Sequence, residues 1–274
     1  MSTQSTLGII AGAGQFPVYV AREAKRQGFR VVGLGIEDWV DPALRNDVDA
    51  YEEIAIGQLG RLIERLKTHH VSQVLMAGKV TKAVLLNARQ HFDAEALAIV
   101  MRAGGKLTGP ALLGAVGKRL SREQITLIDS STFLQDSLCP VGVLTHRRPT
   151  PSEEHDLHVG CRAARAMAAL DVGQTVVMHH GVIVAVEALE GTDAAIRRAG
   201  EVAGAGSIVV KTGSPQQDRR FDLPIVGPST IALMREAKAT CLAMESRVTL
   251  LLDRQAVIEA ANDANIALIG VKLA

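Results

Sequence analysis

The stretch Thr6–Gly33, TLGIIAGAGQFPVYVAREAKRQGFRVVG, decides the fold. It opens with a short apolar run, which predicts a buried strand, and continues with a glycine turn from Gly12 to Pro17. A helical pattern then runs to Gly28, a natural residue for ending a helix because glycine tolerates a positive φ. A second apolar run follows. Strand, turn, helix and strand in this order open a βαβ unit, which predicts a parallel sheet.

The glycine turn matches the dinucleotide-binding fingerprint only in part. Gly12 and Gly14 supply a GxG, but Pro17 stands where the third glycine belongs. Glycines here serve either a tight turn or anion contact at a helix N-terminus, and the spacing leaves both open. The ribose-binding acid belongs about 20 residues further on, yet Glu37 follows the wrong strand end. The GxG keeps an NAD(P)-dependent oxidoreductase as an alternative function, although the third glycine is missing and the acid is not convincingly placed.

The composition is that of a globular α/β protein with an aliphatic core. Of 274 residues, 47% are hydrophobic but only 3% aromatic, which suits helices packed on a parallel sheet. The net charge is +1, so no nucleic-acid partner is indicated. Three distant cysteines without a CxxC pair indicate neither a disulfide framework nor a structural zinc site. Since neither a signal peptide nor a spanning apolar run is recognisable, we expect a cytoplasmic protein.

A second glycine turn follows the apolar run Val71–Ala77, which predicts another strand. Gly78 and Lys79 come directly after it, at the carboxyl end of that strand. Ligands of open α/β sheets bind beyond the carboxyl ends of strands. Lys79 is therefore a candidate for contacting an anion, and an ordinary exposed lysine is the alternative.

The segment Gly142–Glu154, GVLTHRRPTPSEE, has two prolines and no periodicity, which predicts a linker. We expect an N-terminal domain over residues 1–141, a linker over 142–151, and a C-terminal domain over 152–274. The helix that follows the linker is predicted to be capped by Ser152.

The C-terminal half contains a hairpin pattern in which two apolar runs meet at His179-His180-Gly181. The second run ends near Gly191, Thr192 and Asp193, at the start of a predicted helix. Thr192 is the predicted N-cap, and Gly191 allows backbone N–H groups to approach a ligand. A plain capped helix start and a phosphate seat with a metal-binding acid are both consistent with this spacing.

The segment Lys211–Ile231, KTGSPQQDRRFDLPIVGPSTI, is where we expect the chemistry. It joins an apolar strand to a helix predicted to run to about Met244. Its three prolines limit the backbone states that the loop loses on ordering, so charged side chains can be held in place. Anions and metal ions both require such preorganised groups. The alternative is a solvated loop whose arginines and aspartates pair with each other.

Four segments together resemble the LpxI family of UDP-2,3-diacylglucosamine pyrophosphatases. They are LGIIAGAGQFP from Leu7, AGKV from Ala77, VAVEALEGTDAAI from Val184 and QDRRFDLPIVGPSTI from Gln217. The resemblance extends in the same order over nearly the whole chain. It implies an α/β protein of two α/β domains, a Rossmann-like N-terminal one with a parallel sheet and a C-terminal one with a mixed sheet, with the ligand between them.

The resemblance also implies a reaction in lipid A biosynthesis. The pyrophosphate of UDP-2,3-diacylglucosamine would be hydrolysed to UMP and 2,3-diacylglucosamine 1-phosphate, with water attacking the phosphorus nearer the sugar. The reaction would depend on a divalent cation, usually Mg²⁺. A lipid substrate further implies peripheral contact with the inner face of the membrane, and a homodimer is expected from the family.

Residue roles follow from the same resemblance. Asp222 matches the aspartate of the family's Asp-Leu-Pro motif and is the predicted catalytic acid. The predicted substrate-binding residues are Gly12, Gly14, Gln15, Gly78, Lys79, Gly191, Thr192, Asp193, Lys211 and Arg219. Mg²⁺ takes oxygen ligands, for which Asp222, Asp193 and Glu187 are the candidates. A non-catalytic lipid or nucleotide carrier is a further alternative, since it would keep the glycine turns without needing the acids.

Overall fold

A computed structural model of the chain describes residues 4–80, 92–102, 109–215, 218–221 and 223–273. The chain divides into two compact units. The first contains the chain up to Leu134 together with a short returning segment that begins at Asp218, and the second contains the rest.

The first unit is built on a five-stranded parallel sheet with the strand order β3-β2-β1-β4-β5. Its strands are β1 (Thr6–Ala11), β2 (Arg30–Ile36), β3 (Ala50–Ile54), β4 (Gln73–Ala77) and β5 (Thr126–Leu127). Its helices are α1 (Phe16–Arg26), α2 (Leu44–Asp47), α3 (Leu59–Thr68), α4 (Ala94–Arg102) and α5 (Gly109–Arg122). The prediction of a Rossmann-like unit with a parallel sheet is confirmed.

The strand order of this sheet reverses between β1 and β4. The chain builds outward from β1 to β2 and β3 on one side, and to β4 and β5 on the other. The carboxyl edge at such a reversal is where open α/β sheets bind ligands. Helix α1 begins at this edge with Pro17 in its first turn, where the missing N–H has no helical partner to lose.

The second unit is built on a six-stranded mixed sheet with the order β6-β13-β11-β9-β7-β8. Its strands are β6 (Gly142–Val143), β7 (Thr175–His179), β8 (Val182–Val186), β9 (Ile208–Lys211), β11 (Cys241–Glu245) and β13 (Ala267–Val271). Strands β9, β11 and β13 are parallel, whereas β6, β7 and β8 run antiparallel to their neighbours. The predicted mixed sheet and the hairpin of β7 and β8 are both confirmed.

Four helices and a small second sheet complete this unit. The helices are α6 (Pro151–Ala169), α7 (Thr192–Ala203), α8 (Pro228–Glu236) and α9 (Arg254–Asp263). Strands β10 (Ile225–Val226) and β12 (Leu250–Leu251) form a separate parallel pair. Within the described ranges, no helix is both long and apolar enough to cross a bilayer.

Both faces of the six-stranded sheet are covered by helices. On β9, Ile208 and Val210 pack on the core beneath α6, whereas Val209 packs on the core formed with α7, α8 and α9. Burial on both faces explains why these strands read as continuous apolar runs in the sequence.

The stretch predicted as a linker is packed within the second unit. Gly142–Val143 pairs with β13, and the Leu144 N–H donates to the Leu268 carbonyl at 2.9 Å. The predicted helix cap is wrong by two residues, because Thr150 and not Ser152 is the N-cap. Thr150 forms a capping box with Glu153, in which each side chain accepts a backbone N–H of the other. The division into independent domains at 1–141, 142–151 and 152–274 stays a prediction.

The predicted helix from Ser229 to about Met244 is also wrong in its second half. Helix α8 ends at Glu236, and Lys238 then adopts a φ of 55°. Strand β11 follows and lies between β9 and β13, with all five of its residues buried. Its pairing with two strands outweighs the helix propensity of its Ala, Leu and Met residues.

Gly270 in β13 is the position where an added methyl group should cost most. An ideal Cβ there would lie 1.7 Å from the Pro140 carbonyl oxygen and 2.9 Å from Cys139 Sγ. We expect Gly270→Ala to lower the free energy of unfolding by about 3 kcal/mol, because backbone must move to make room. Gly114→Ala is the control, since no described atom lies within 4 Å of its added Cβ. It should leave stability unchanged or raise it by up to about 1 kcal/mol. Equal urea midpoints for the two variants, measured by circular dichroism, would contradict this.

Candidate functional site

The two glycine turns of the first unit lie side by side at the carboxyl ends of β1 and β4. The Gly12 N–H donates to the Ala77 carbonyl at 2.8 Å, and Ala13 and Lys79 exchange two backbone hydrogen bonds at 3.0 and 2.9 Å. A Cβ on Gly12 would lie 2.7 Å from the Lys79 carbonyl oxygen, and one on Gly78 would lie 2.7 Å from the Gly12 carbonyl carbon. Both glycines are therefore required by the close approach of the two turns.

Gly14 and Lys79 are exposed positions of this edge. Gly14 is exposed with a φ of 91°, and no described atom lies within 4 Å of an ideal Cβ there. Lys79 is also exposed. Gln15 is the N-cap of α1, but its side chain donates to the Asp41 carboxylate and makes no capping bond. The structure thus brings Gly12, Gly14, Gln15, Gly78 and Lys79 to one edge, as predicted from their places after two parallel strands.

The segment Asp218–Phe221 lies at the same edge of the first sheet. The Ser130 N–H donates to the Arg219 carbonyl at 3.1 Å. The Ser130 hydroxyl lies 2.9 Å from the Arg220 carbonyl and 2.7 Å from the carbonyl of Met76, near the end of β4. The residues that come just before Asp222 in the chain are therefore fixed beside the carboxyl end of β4. Asp222 itself, the predicted catalytic acid, lies outside the described residues.

The guanidinium of Arg219 is held by two partners in the turn after β5. Its Nε lies 3.2 Å from Asp129 Oδ2, and its Nη2 donates to Ser131 Oγ at 2.9 Å. Asp129 Oδ1 in turn accepts the N–H and the hydroxyl of Ser131, both at 2.7 Å. This turn was not predicted from the sequence, although an acid followed by two serines after the apolar run Ile125–Ile128 was a usable signal.

The other arginine of the segment pairs within the segment. Arg220 donates through Nε to Asp218 Oδ1 at 2.9 Å and through Nη2 to Asp218 Oδ2 at 2.5 Å. These hydrogen bonds to the guanidinium lower the pKa of the Asp218 carboxyl. This pair fits the alternative in which loop charges satisfy each other.

In the second unit, Lys211 is buried rather than open to a ligand. It is the last residue of β9 and only 7% exposed. Its Nζ donates to Thr192 Oγ1 at 2.9 Å and lies 3.5 Å from Thr175 Oγ1. The Thr192 hydroxyl donates to Glu187 Oε1 at 2.8 Å. In this cluster of Thr175, Glu187, Thr192 and Lys211, the Thr192 hydroxyl bridges the buried ammonium group and the carboxylate. Such hydrogen bonds offset the cost of burying a charge.

The sequence predicted Thr192 as the N-cap of α7, and this prediction is wrong. Gly191 is the N-cap, with a φ of 87° that favours glycine, and no side chain caps this helix. Thr192 is the first helical residue, and its hydroxyl is engaged by Glu187 and Lys211 instead. Asp193 follows in the first turn and is exposed.

Glu187, one of the three predicted magnesium ligands, is already hydrogen-bonded within the second unit. Glu187 accepts the Thr192 hydroxyl through Oε1 and the Gln174 N–H through Oε2, at 3.3 Å for the latter. Each carboxylate oxygen keeps a lone pair for a further contact. In the part of the chain that the structure describes, no three His, Cys, Asp or Glu residues lie close enough to hold a metal ion. Asp193 is exposed and Asp222 lies outside the described residues, so the predicted ligands Asp222, Asp193 and Glu187 stay a prediction.

Comparison with known proteins covers both units. The LpxI N-terminal domain matches residues 6–137, and the LpxI C-terminal domain matches residues 140–269. The chain belongs to the LpxI family. A relative from Caulobacter vibrioides, UDP-2,3-diacylglucosamine pyrophosphatase LpxI, is 30% identical over 277 residues, which cover 97% of this chain and 97% of the relative.

Three solved structures are distantly similar to this chain. The precorrin-6A reductase CobK is 14% identical with a TM-score of 0.29, covering 99% of this chain and 91% of that one. A UDP-glucose-4-epimerase from Stenotrophomonas maltophila is 15% identical with a TM-score of 0.28, covering 91% and 78%. The biotin carboxylase domain of a Hydrogenobacter thermophilus 2-oxoglutarate carboxylase is 10% identical with a TM-score of 0.29, covering 66% of this chain and 36% of that one. These likenesses carry no argument about function.

The hydroxyl of Thr192 should contribute measurably to the stability of this LpxI protein. Thr192→Val keeps the shape of the side chain but leaves both Lys211 and Glu187 without their shared partner. We expect the free energy of unfolding to fall by about 2 kcal/mol, since buried polar groups then lose a hydrogen bond. Asp193→Asn, at the next and exposed position, should cost only about 0.5 kcal/mol through the helix dipole. Urea unfolding measures both, and a smaller loss for Thr192→Val than for Asp193→Asn would contradict the role of this cluster.

Proposed function

We propose that this member of the LpxI family hydrolyses the pyrophosphate of UDP-2,3-diacylglucosamine to UMP and 2,3-diacylglucosamine 1-phosphate (lipid X) in lipid A biosynthesis. Similarity over the whole chain to a relative named for this reaction supports the proposal. The observation that carries it in this chain is the position of Arg219 and Arg220. They lie at the edge that holds the Gly78–Lys79 turn, and they lead directly into Asp222.

The chemistry of a diphosphate fits the groups at this edge. Enzymes catalyse phosphoryl transfer mainly by positioning the reactants and neutralising charge. Lys79 would contact a phosphate oxygen, and backbone N–H groups from Gly14 to the start of α1 would donate hydrogen bonds to other phosphate oxygens, as helix N-termini do for anions. The predicted contacts of Arg219, Gly191, Asp193 and Lys211 with substrate stay predictions, and Lys211 would act through Thr192.

The proposed hydrolysis forms one bond to phosphorus and breaks one. Water attacks the phosphorus nearer the sugar, the bond from that phosphorus to the bridging oxygen breaks, and UMP leaves with that oxygen. Asp222 either accepts the proton of the attacking water or binds a divalent cation, and both roles need a carboxylate at this position.

Replacing the Asp222 carboxylate should abolish most of the activity without unfolding the protein. We expect Asp222→Asn to lower kcat for UMP release from UDP-2,3-diacylglucosamine in mixed micelles by about 10³-fold. Asp218→Asn is the matched control, because its Oδ1 still accepts both the N–H and the Nε–H of Arg220. It should keep most of the activity. If Asp222→Asn turns over at a rate close to that of the wild type, Asp222 is not the catalytic acid.

We further propose that a divalent cation, such as Mg²⁺, assists the reaction. Bound near the diphosphate, it would neutralise developing charge on the phosphate oxygens. Removing metal with a chelator should therefore stop UMP release, and added Mg²⁺ should restore it. Full activity in the chelated and dialysed protein would remove the cation from the proposal while leaving the hydrolysis itself in place.

The remaining parts of the proposal concern where and with what the protein works. A lipid-linked substrate supports lipid binding by a cytoplasmic protein in peripheral contact with the inner face of the membrane. A homodimer stays a proposal from the family. Release of UMP also separates the enzyme from the alternative of a non-catalytic carrier, and a dinucleotide titration separates it from an NAD(P)-dependent oxidoreductase.

A further inference from the structure

The turn Asp129–Ser131, which we call the DSS turn, contains two buried serines beside a partly exposed aspartate. It follows β5 at the carboxyl edge of the first sheet. Ser130 is 2% exposed and Ser131 is fully buried. None of its three residues has a role in the function proposed above. Buried polar side chains that serve neither the core nor a ligand usually fix another segment of the chain.

Ser130 binds two consecutive residues of the returning segment. Its N–H donates to the Arg219 carbonyl at 3.1 Å. Its hydroxyl lies within hydrogen-bonding distance of two carbonyls, that of Arg220 at 2.9 Å and that of Met76 at 2.7 Å. The hydroxyl has one proton and shares it between them. One small side chain therefore joins the returning segment to the end of β4.

The rest of the DSS turn fixes the side chain of Arg219. Asp129 pairs with its Nε, and the Ser131 hydroxyl accepts its Nη2. The Asp129 carboxylate also holds Ser131 in place through two bonds of 2.7 Å. The turn thus fixes two peptide carbonyls and one guanidinium within two neighbouring residues.

These contacts restrict the chain just before the predicted catalytic acid. Asp222 follows Arg220 by two residues, so an error in the position of the Arg220 carbonyl is passed on over only two peptide units. A misplacement of about 1 Å can lower the rate of an enzyme by a factor on the order of 10². Fixing Arg219 and Arg220 therefore bears on catalysis as well as on stability.

We infer that the DSS turn positions the segment Asp218–Phe221, which directly precedes Asp222 in the chain, and that Ser130 is a positioning residue for the hydrolysis. Ser130 acts through the backbone of Arg219 and Arg220 and does not contact the substrate. This inference rests on the proposed function, because it assigns to Ser130 an effect on that reaction.

The test compares Ser130→Ala with Thr132→Ala in the full-length protein. Thr132 is the matched control, because its hydroxyl donates to the Asp129 carbonyl at 2.6 Å and not to the returning segment. Each variant loses one hydroxyl from the same part of the chain. The measurements are kcat and KM for UMP release, the urea midpoint, and the rate at which trypsin cleaves after Arg219 and Arg220.

We expect Ser130→Ala to lower kcat by about 10-fold with KM unchanged, since positioning acts on the transition state and not on uniform binding. Tryptic cleavage after Arg219 and Arg220 should become faster. Thr132→Ala should match the wild type in kcat and in cleavage rate. A purely structural role would instead shift the urea midpoint of Ser130→Ala and leave kcat of the folded protein unchanged.

Asp129→Asn is a second variant in case Ser130→Ala does not fold. Its side chain is 36% exposed, and the amide keeps an oxygen for Ser131 while losing the ion pair with Arg219. It should lower kcat and speed up cleavage in the same direction.

The outcomes separate the inference from the function. A wild-type kcat and a wild-type cleavage rate in both Ser130→Ala and Asp129→Asn would overturn the positioning role. An equal loss of kcat in Thr132→Ala would overturn it as well. If the wild-type protein releases no UMP, the proposed function fails and the catalytic role of Ser130 fails with it. Faster cleavage in the variants would then show only that the DSS turn fixes the segment.

Discussion

The close approach of two backbone turns at the ends of β1 and β4 is the constraint on which the first unit depends. The Gly12 N–H closes onto the Ala77 carbonyl, and Ala13 pairs with Lys79 across a gap that no Cβ could enter at Gly12 or Gly78. Because both turns are fixed by each other, the exposed groups beside them have defined positions. Any ligand contact by Gly14 or Lys79 therefore depends on backbone hydrogen bonds between the two turns and not on side-chain contacts.

In the second unit, side chains rather than backbone turns hold the carboxyl ends of the parallel strands in place. Its parallel strands also end in polar residues, but there the charges are buried. Lys211 at the end of β9 is satisfied by threonine hydroxyls. Glu245 at the end of β11 accepts the Gly213 N–H at 2.8 Å and the guanidinium of Arg165 at 2.7 Å. A buried charge with several hydrogen bonds rigidifies its surroundings but costs desolvation. These residues therefore shape the ends of the strands more than they offer charge to a ligand.

The parts of this structure that could be predicted from sequence are those decided locally. The order β1, α1, β2 follows from apolar runs separated by a glycine turn, and the hairpin of β7 and β8 follows from two apolar runs around Gly181. Two of the predictions that failed were decided by distant residues. Strand β11 carries helix-forming residues but is buried between two strands, and the Thr192 hydroxyl is drawn from capping by Lys211, which is 19 residues away along the chain.

For the candidate site, the sequence predicted which turns meet at one edge of the sheet but not which distant side chains contact each other there. Placing Gly12 and Gly78 at one edge requires no more than knowing that parallel strands end together. The DSS turn could not be linked to Arg219 from sequence, because 88 residues separate Ser131 from its guanidinium partner.

The ion pairs and hydrogen bonds of the predicted cations limit how much positive charge is open to a diphosphate. Arg219 is paired with Asp129, Arg220 with Asp218, and Lys211 is buried among hydroxyls. Among the described residues predicted to contact substrate, Lys79 is an exposed cation for which no ion pair is found, whereas the 39% exposed side chain of Arg219 is paired. A pyrophosphate carries more charge than one lysine and a few N–H groups can offset. This charge balance supports the proposal of a divalent cation bound together with the substrate, which would neutralise part of the charge on the phosphate oxygens.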